Sequence, residues 1–131
     1  MANELQTTDP QALAVQSDAK QISELLQPLI REIYLFDTFV AGTSHIDEEI
    51  LQTVKPQEKL TLRREKENTF DAKAVAILTE EGQKIGYIPE RDNPIFSRLM
   101  DAGKMLTAQV KSIEWQYSYC KIAIAIYLTD Y

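Results

Sequence analysis

The chain has 131 residues, 44% of them hydrophobic, and a formal net charge of −6. That is the length of one domain, and a domain of this size buries roughly two-thirds of its unfolded surface. The acidity argues against broad, nonspecific attraction to nucleic acid, the lone Cys120 excludes an intramolecular disulfide, and no apolar run nears the ~20 residues of a membrane span.

Residues 1–17 are polar and small, without a sustained apolar period, and read as a flexible tail. They lack a basic start followed by an apolar core, so no secretory signal is expected, and a reducing cytoplasm fits best. From Asp18 the apolar positions Ile22, Leu25, Leu26, Ile30 and Ile33 recur at spacings of three and four. That pattern predicts an amphipathic helix over 18–33, with Asp18 as its N-cap. Its stripe either packs on the domain or meets a protein partner or a second copy.

From Tyr34 the pattern turns to strands, and 34–131 is expected to form the main domain. "YLFDTFVAG" is aromatic and β-branched and ends at Gly42. "SHIDEEILQTV" predicts a short helix, with Ser44 and Asp47 as a capping box and Pro56 as its stop. "EKLTLR", "AVAIL" and "KIGYIP" predict a meander of short antiparallel strands. "DNPIFSRLMDAG" is a helix capped by Asn93, opened by Pro94 and left through Gly103. "MLTAQVKSI" and "KIAIAIYL" close the chain as strands. The second is apolar on both faces, which places it centrally in its sheet. About six strands around two short helices predict a mainly β fold, a compact OB-like or SH3-like barrel.

Enzymatic constellations are thin. His45 and Cys120 are each the only residue of their kind, so a Cys/His zinc site cannot form within one chain. Cys120 lies in an apolar strand and reads as core. A hydrolase would have only Asp71, His45 and scattered carboxylates behind it. We therefore expect no catalysis, no cofactor and no membrane partner.

The informative stretch is "LRREKENTFDAKAVAIL", residues 62–78. It sets a polar knot between two core strands, inside a modestly basic island (55–73) that contrasts with the acidic first 33 residues. Asn68 and Asp71 are residue types that bond nearby backbone amides, so they are turn formers or ligand groups. Phe70 is core or an exposed ring. Tyr87, alternating with Ile85, is a half-buried strand residue or a ligand contact. If the strand continues through them, Arg63 and Arg64 point to opposite faces, so at most one lines the pocket.

"FVAGTSHID", "EKLTLRREKENTFDAKAVAI", "GQKIGYIPE" and "LMDAGKMLTAQV", in this order, resemble the HIRAN domain. This module occurs in chromatin-linked helicase-like proteins and as small bacterial proteins. The likeness covers about residues 34–116 and extends toward the last strand. It is carried best by Arg64–x–x–x–Asn68–x–x–Asp71–x–x–Ala74 followed by Gly86-Tyr87-Ile88-Pro89. The resemblance implies a small β-barrel with a pocket for the 3′ end of single-stranded DNA and a place in DNA repair or processing. Asp71 would accept a hydrogen bond from the terminal 3′-hydroxyl, Phe70 would stack on the terminal base, and Asn68 would add polar contacts. Tyr87 would stand on the far side, and His45 lies in a loop where the family places another ring. Arg63 or Arg64 would hold a phosphate. The DNA-binding form of the family carries arginine and tyrosines where this chain has Thr43, Ser44, His45 and Ile46. It also has a basic residue where this chain has Glu90, with Arg91 adjacent. Fewer phosphates would be neutralised here. The alternative is a protein-interaction or assembly module whose DNA pocket is degenerate.

Overall fold

The computed structural model describes residues 31–130; the expected tail at 1–17 and the expected helix up to residue 30 lie outside the described residues. Six strands run in the order β1 (Arg31–Phe39), β2 (Lys59–Arg64), β3 (Val75–Leu78), β4 (Lys84–Tyr87), β5 (Met105–Gln116) and β6 (Tyr119–Asp130). Two helices interrupt them, α1 (Glu48–Leu51) after β1 and α2 (Asn93–Asp101) after β4. They form one sheet in the order β1-β6-β5-β2-β3-β4, so β6 is central, as its two apolar faces predict.

The expected meander is present. β2 pairs antiparallel with β3, with Leu62 opposite Ile77, and β3 pairs antiparallel with β4, with Ile77 opposite Gly86. β5 and β6 form a long hairpin in which Ala108 faces Ile126 and Val110 faces Ile124. A register shift between Val110 and Ser112 bends this hairpin, consistent with the stronger local twist of a bulged strand.

The sheet curls until its edges meet. Ala41, just past β1, pairs with Tyr87 of β4: the Ala41 amide donates to the Tyr87 carbonyl at 2.8 Å, and the Tyr87 amide donates back at 2.9 Å. Only glycine fits beside this seam, because a Cβ on Gly86 would lie 2.4 Å from the Ala41 carbonyl oxygen and 2.5 Å from Val40 Cγ1. The inward residues Leu60, Leu62, Val75, Ile77, Ile85, Val110, Ile122, Ile124 and Ile126 make one buried core. Cys120 belongs to it, and burial pushes its thiol pKa up, the signature of an inert core cysteine.

Three local expectations change. The strand β1 begins at Arg31, inside the segment whose spacing predicts helix through Ile33, because this stretch is recruited beside β6. The capping box of Ser44 and Asp47 is not made: Asp47 precedes α1 without a side-chain cap, and Thr43–His45 forms a 3-10 turn of its own. Asn93 is the first residue of α2 and does not cap it; Asp92 precedes it, also without a side-chain cap bond.

The start of α2 is fixed from β1. Thr38 Oγ1 donates to Asp92 Oδ2 at 2.9 Å, and the Phe36 ring meets the Phe96 ring at 5.9 Å between centroids. Phe36 and Thr38 are two apart on the strand and so share one face. Pro94 lies in the first turn, and Gly103, at φ 89°, ends the helix in the left-handed conformation expected there. No helix among the described residues is long and apolar enough to cross a membrane.

Candidate functional site

The connector from β2 to β3 is closed at its base by the Glu65 amide, which donates to the Ala74 carbonyl at 3.0 Å. Inside it, two side chains replace the missing ladder. The Asn68 carbonyl oxygen accepts the amides of Phe70 (2.8 Å) and Asp71 (3.0 Å). Asp71 Oδ1 accepts the Lys73 amide at 2.9 Å, and the Asp71 main-chain carbonyl accepts the Ala74 amide at 3.1 Å. Asx-type turns of this kind fix a short loop without a core beneath it. They also hold Phe70 outward, with 96% of its surface exposed.

Behind this lip lies a concavity of about 270 Å³. It is lined by Ala41, Gly42, Asn68, Phe70, Asp71, Ala74, Tyr87, Ile88, Glu90 and Asn93. The barrel seam at Ala41 and Tyr87 therefore forms one wall, the β2–β3 connector the opposite lip, and the start of α2 part of the lining.

Asp71 links two of these segments, since its Oδ2 accepts Asn93 Nδ2 at 2.8 Å. The Lys73 amide first, and then the Asn93 amide, hold the Asp71 carboxyl below the usual aspartate range, so it is ionised at neutral pH. An ionised carboxylate accepts about four hydrogen bonds, and among the described residues two protein donors reach it, which leaves acceptor capacity for a ligand.

Glu65 is the second anchor. Its Oε1 accepts the Tyr87 hydroxyl at 2.7 Å and Asn68 Nδ2 at 3.1 Å. Its Oε2 takes Lys84 Nζ at 2.9 Å and an Arg63 guanidinium nitrogen at 3.3 Å. Partial burial pushes the Glu65 carboxyl up, but the hydrogen bonds from Lys84, Tyr87, Asn68 and Arg63 outweigh it and bring it down to about 2. Lys84 also donates to the Tyr87 hydroxyl at 2.8 Å, and its pKa is raised by that bond first and by Glu65 second.

Of the eight residues singled out from the sequence, Asn68, Phe70, Asp71 and Tyr87 come together in this concavity. The other four do not line it. Arg63 and Arg64 border a neighbouring, more open concavity of about 590 Å³ on the other side of Asn68. Arg64 is engaged: its guanidinium makes a bidentate pair with Asp101 (2.9 and 3.2 Å) and donates to the Ala74 carbonyl at 2.9 Å. Arg91 pairs with Asp92 at 3.6 Å, and His45 closes the 3-10 turn after Gly42. Asn93, Glu65 and Glu90 were missed. A residue type that caps helices, a member of a mixed-charge run and a carboxylate beside Pro89 all have local readings that need no site. Among the described residues, no group of three His, Cys, Asp or Glu side chains could hold a metal ion.

Comparison with known proteins completes this picture. No curated protein matches the chain. A crystal structure of a protein from Lactobacillus plantarum superposes with a TM-score of 0.72 at 24% identity, covering 78% of this chain and 99% of that one. The crystal structure of the HIRAN domain of human HLTF superposes with a TM-score of 0.61 at 14% identity, covering 75% and 78% respectively. The NMR structure of the HLTF HIRAN domain in its DNA-bound conformation gives 0.55 over the same shares. At these identities the likenesses establish the fold. The HIRAN domain family model matches residues 33–129, most of the sequence, and the chain belongs to the HIRAN domain family.

Proposed function

We propose that this domain binds nucleic acid by gripping the 3′ end of a single strand of DNA in the concavity between Phe70, Asp71 and Tyr87. The observation that carries this reading is the Phe70 ring, 96% exposed on a loop whose backbone is tied on both sides. A large apolar ring held in water has no packing role, whereas a base stacked on it would contribute ~1–3 kcal/mol whatever the sequence. The HLTF HIRAN domain, of the same family, has a DNA-bound conformation. At about 270 Å³ the concavity suits one terminal nucleotide.

Asp71 supplies the end selectivity. A carboxylate repels phosphate but is a strong acceptor for a free sugar hydroxyl. Asn68 orients the lip, since its carbonyl oxygen already takes two amides and its amide nitrogen donates to Glu65. Phosphate contact falls to Lys73, whose side chain makes no ion pair among the described residues, and secondarily to Arg63, which is paired only with Glu65. A place in DNA repair or processing follows from end recognition as a class of task.

Fluorescence polarisation at low salt with short labelled oligonucleotides tests the reading. A free 3′-hydroxyl should bind at least ~10-fold more tightly than a 3′-phosphate, because the phosphate removes the donor and sets like charge against Asp71. Negligible binding of both overturns it.

A further inference from the structure

We infer that Glu65 is a positioning residue for the bound strand end, locking the two walls of the concavity to each other through a single carboxylate oxygen. This inference rests on the end-binding reading for its ligand, although the lock itself is present without one. Glu65 does not line the concavity. Its Oε1 receives one donor from each side, Asn68 Nδ2 from the lip at 3.1 Å and the Tyr87 hydroxyl from the seam wall at 2.7 Å.

The geometry makes the link directional. An Asn side-chain amide is planar, so fixing Nδ2 on Glu65 also fixes where the carbonyl oxygen points. That oxygen accepts the amides of Phe70 and Asp71, the stacking ring and the hydroxyl acceptor. On the other side, the Tyr87 backbone is half of the barrel seam with Ala41. The position of the lip is thereby referenced to the barrel through Glu65. The Lys84 and Arg63 contacts on Oε2 keep the carboxylate oriented and ionised. A solvated charge in a surface run would show none of this convergence.

The test compares Glu65→Ala and Glu65→Gln in the full chain. Gln keeps an oxygen for Asn68 and Tyr87, but its amide nitrogen cannot accept from Lys84 and Arg63, whose side chains are exposed enough to turn to water. With a short 3′-hydroxyl oligothymidine, Glu65→Ala should weaken binding by ~10-fold or more, while Glu65→Gln stays within ~3-fold of wild type. A folded Glu65→Ala protein that binds like wild type overturns the inference. So does a Glu65→Gln loss as large as that of Ala, since charge and not the bridge would then be responsible.

A ligand-free arm separates this inference from the end-binding reading. In the wild type, Tyr87→Phe should shift the amide NMR resonances of Phe70 and Asp71. In the Glu65→Gln background the shifts should persist, and in the Glu65→Ala background they should vanish. Unmoved Phe70 and Asp71 amides in the Tyr87→Phe single variant overturn the lock whether or not DNA binds. If the wild type binds no oligonucleotide while the amides do respond, the end-binding reading fails and the lock between the walls stands.

Discussion

Asn93 and Asp71, 22 residues apart, are joined by a hydrogen bond of 2.8 Å from the Asn93 side-chain amide to Asp71 Oδ2. Asn93 is 2% exposed, so its amide has little access to water to replace this acceptor. The bond ties the start of α2 to the β2–β3 connector and sets one Asp71 oxygen at a defined point of the concavity. Asp71 is therefore anchor and cavity residue at once, and two kinds of substitution separate these roles.

Asp71→Ala should lower stability by ~1–3 kcal/mol, because it leaves a buried amide unpaired and frees the Lys73 amide. For a domain of this size that is a fall of at least ~4 °C in Tm. Asp71→Asn keeps one acceptor oxygen, for Asn93, but sets its amide nitrogen against the Lys73 amide, so it should cost less than Asp71→Ala while removing the charge that favours a hydroxyl donor. Thermal unfolding of both variants checks this, and an unchanged Tm for Asp71→Ala would show that the bond contributes nothing.

Gly86→Ala should be among the most destabilising single changes available. The added methyl would lie 2.4 Å from the Ala41 carbonyl oxygen, which is backbone and already accepts the Tyr87 amide. Relief requires parting the two strand edges at the seam and with them one wall of the site. A loss of ~3 kcal/mol or more in urea unfolding is expected, or failure to fold. A variant within ~1 kcal/mol of wild type would mean that the closure is loose.

Much of this fold is legible because one face of the sheet is buried and strand side chains alternate with a period of two. Leu60 and Leu62, Leu106, Ala108 and Val110, and Ile122, Ile124 and Ile126 announce their strands and their inward face. Pro94 and Gly103 announce α2 by local chemistry alone. What local reading misses is set by distant partners. Ile30 and Ile33 have helical spacing, yet Arg31 onward joins the sheet next to β6. Asn93 suits a cap but turns to Asp71, and Arg64 finds Asp101 37 residues away. In the site, the HIRAN resemblance grouped Asn68, Phe70, Asp71 and Tyr87, and all four meet in one concavity. Glu65, between Arg64 and Lys66, reads as solvated charge; only folding brings Tyr87, Lys84, Asn68 and Arg63 onto it.

The Glu65 cluster also predicts an acid limit to stability. Its folded pKa of about 2 lies below the ordinary glutamate value of 4.5, so the contribution is complete above that ordinary value. As pH falls from about 5 toward 2, the unfolded chain takes up the proton first, and the stabilisation is lost through the folded pKa. The lowered Asp71 and Asp101 pKa values act in the same direction. Denaturant titrations between pH 7 and 2.5 should show the decline, with a Glu65 share of no more than about 3 kcal/mol. In Glu65→Gln the slope over this interval should flatten; an equal slope in both proteins would assign the acid sensitivity elsewhere.

Phe70→Ala offers the sharpest separation of folding from binding. The ring is 96% exposed, so its removal takes almost no apolar area out of a core, and stability should stay within ~0.5 kcal/mol of wild type. If a terminal base stacks on it, affinity for a 3′-hydroxyl oligonucleotide should fall by roughly 5- to 150-fold, the equivalent of ~1–3 kcal/mol. Residual binding should have a shallow salt dependence in either protein. Around the site Arg64 and Lys66 are paired with Asp101, Lys84 with Glu65 and Arg91 with Asp92, which leaves Lys73 and Arg63 to neutralise about one or two phosphates there. A steep salt slope together with an unchanged affinity for Phe70→Ala would place the strand elsewhere on the barrel, held by its backbone and not by its end.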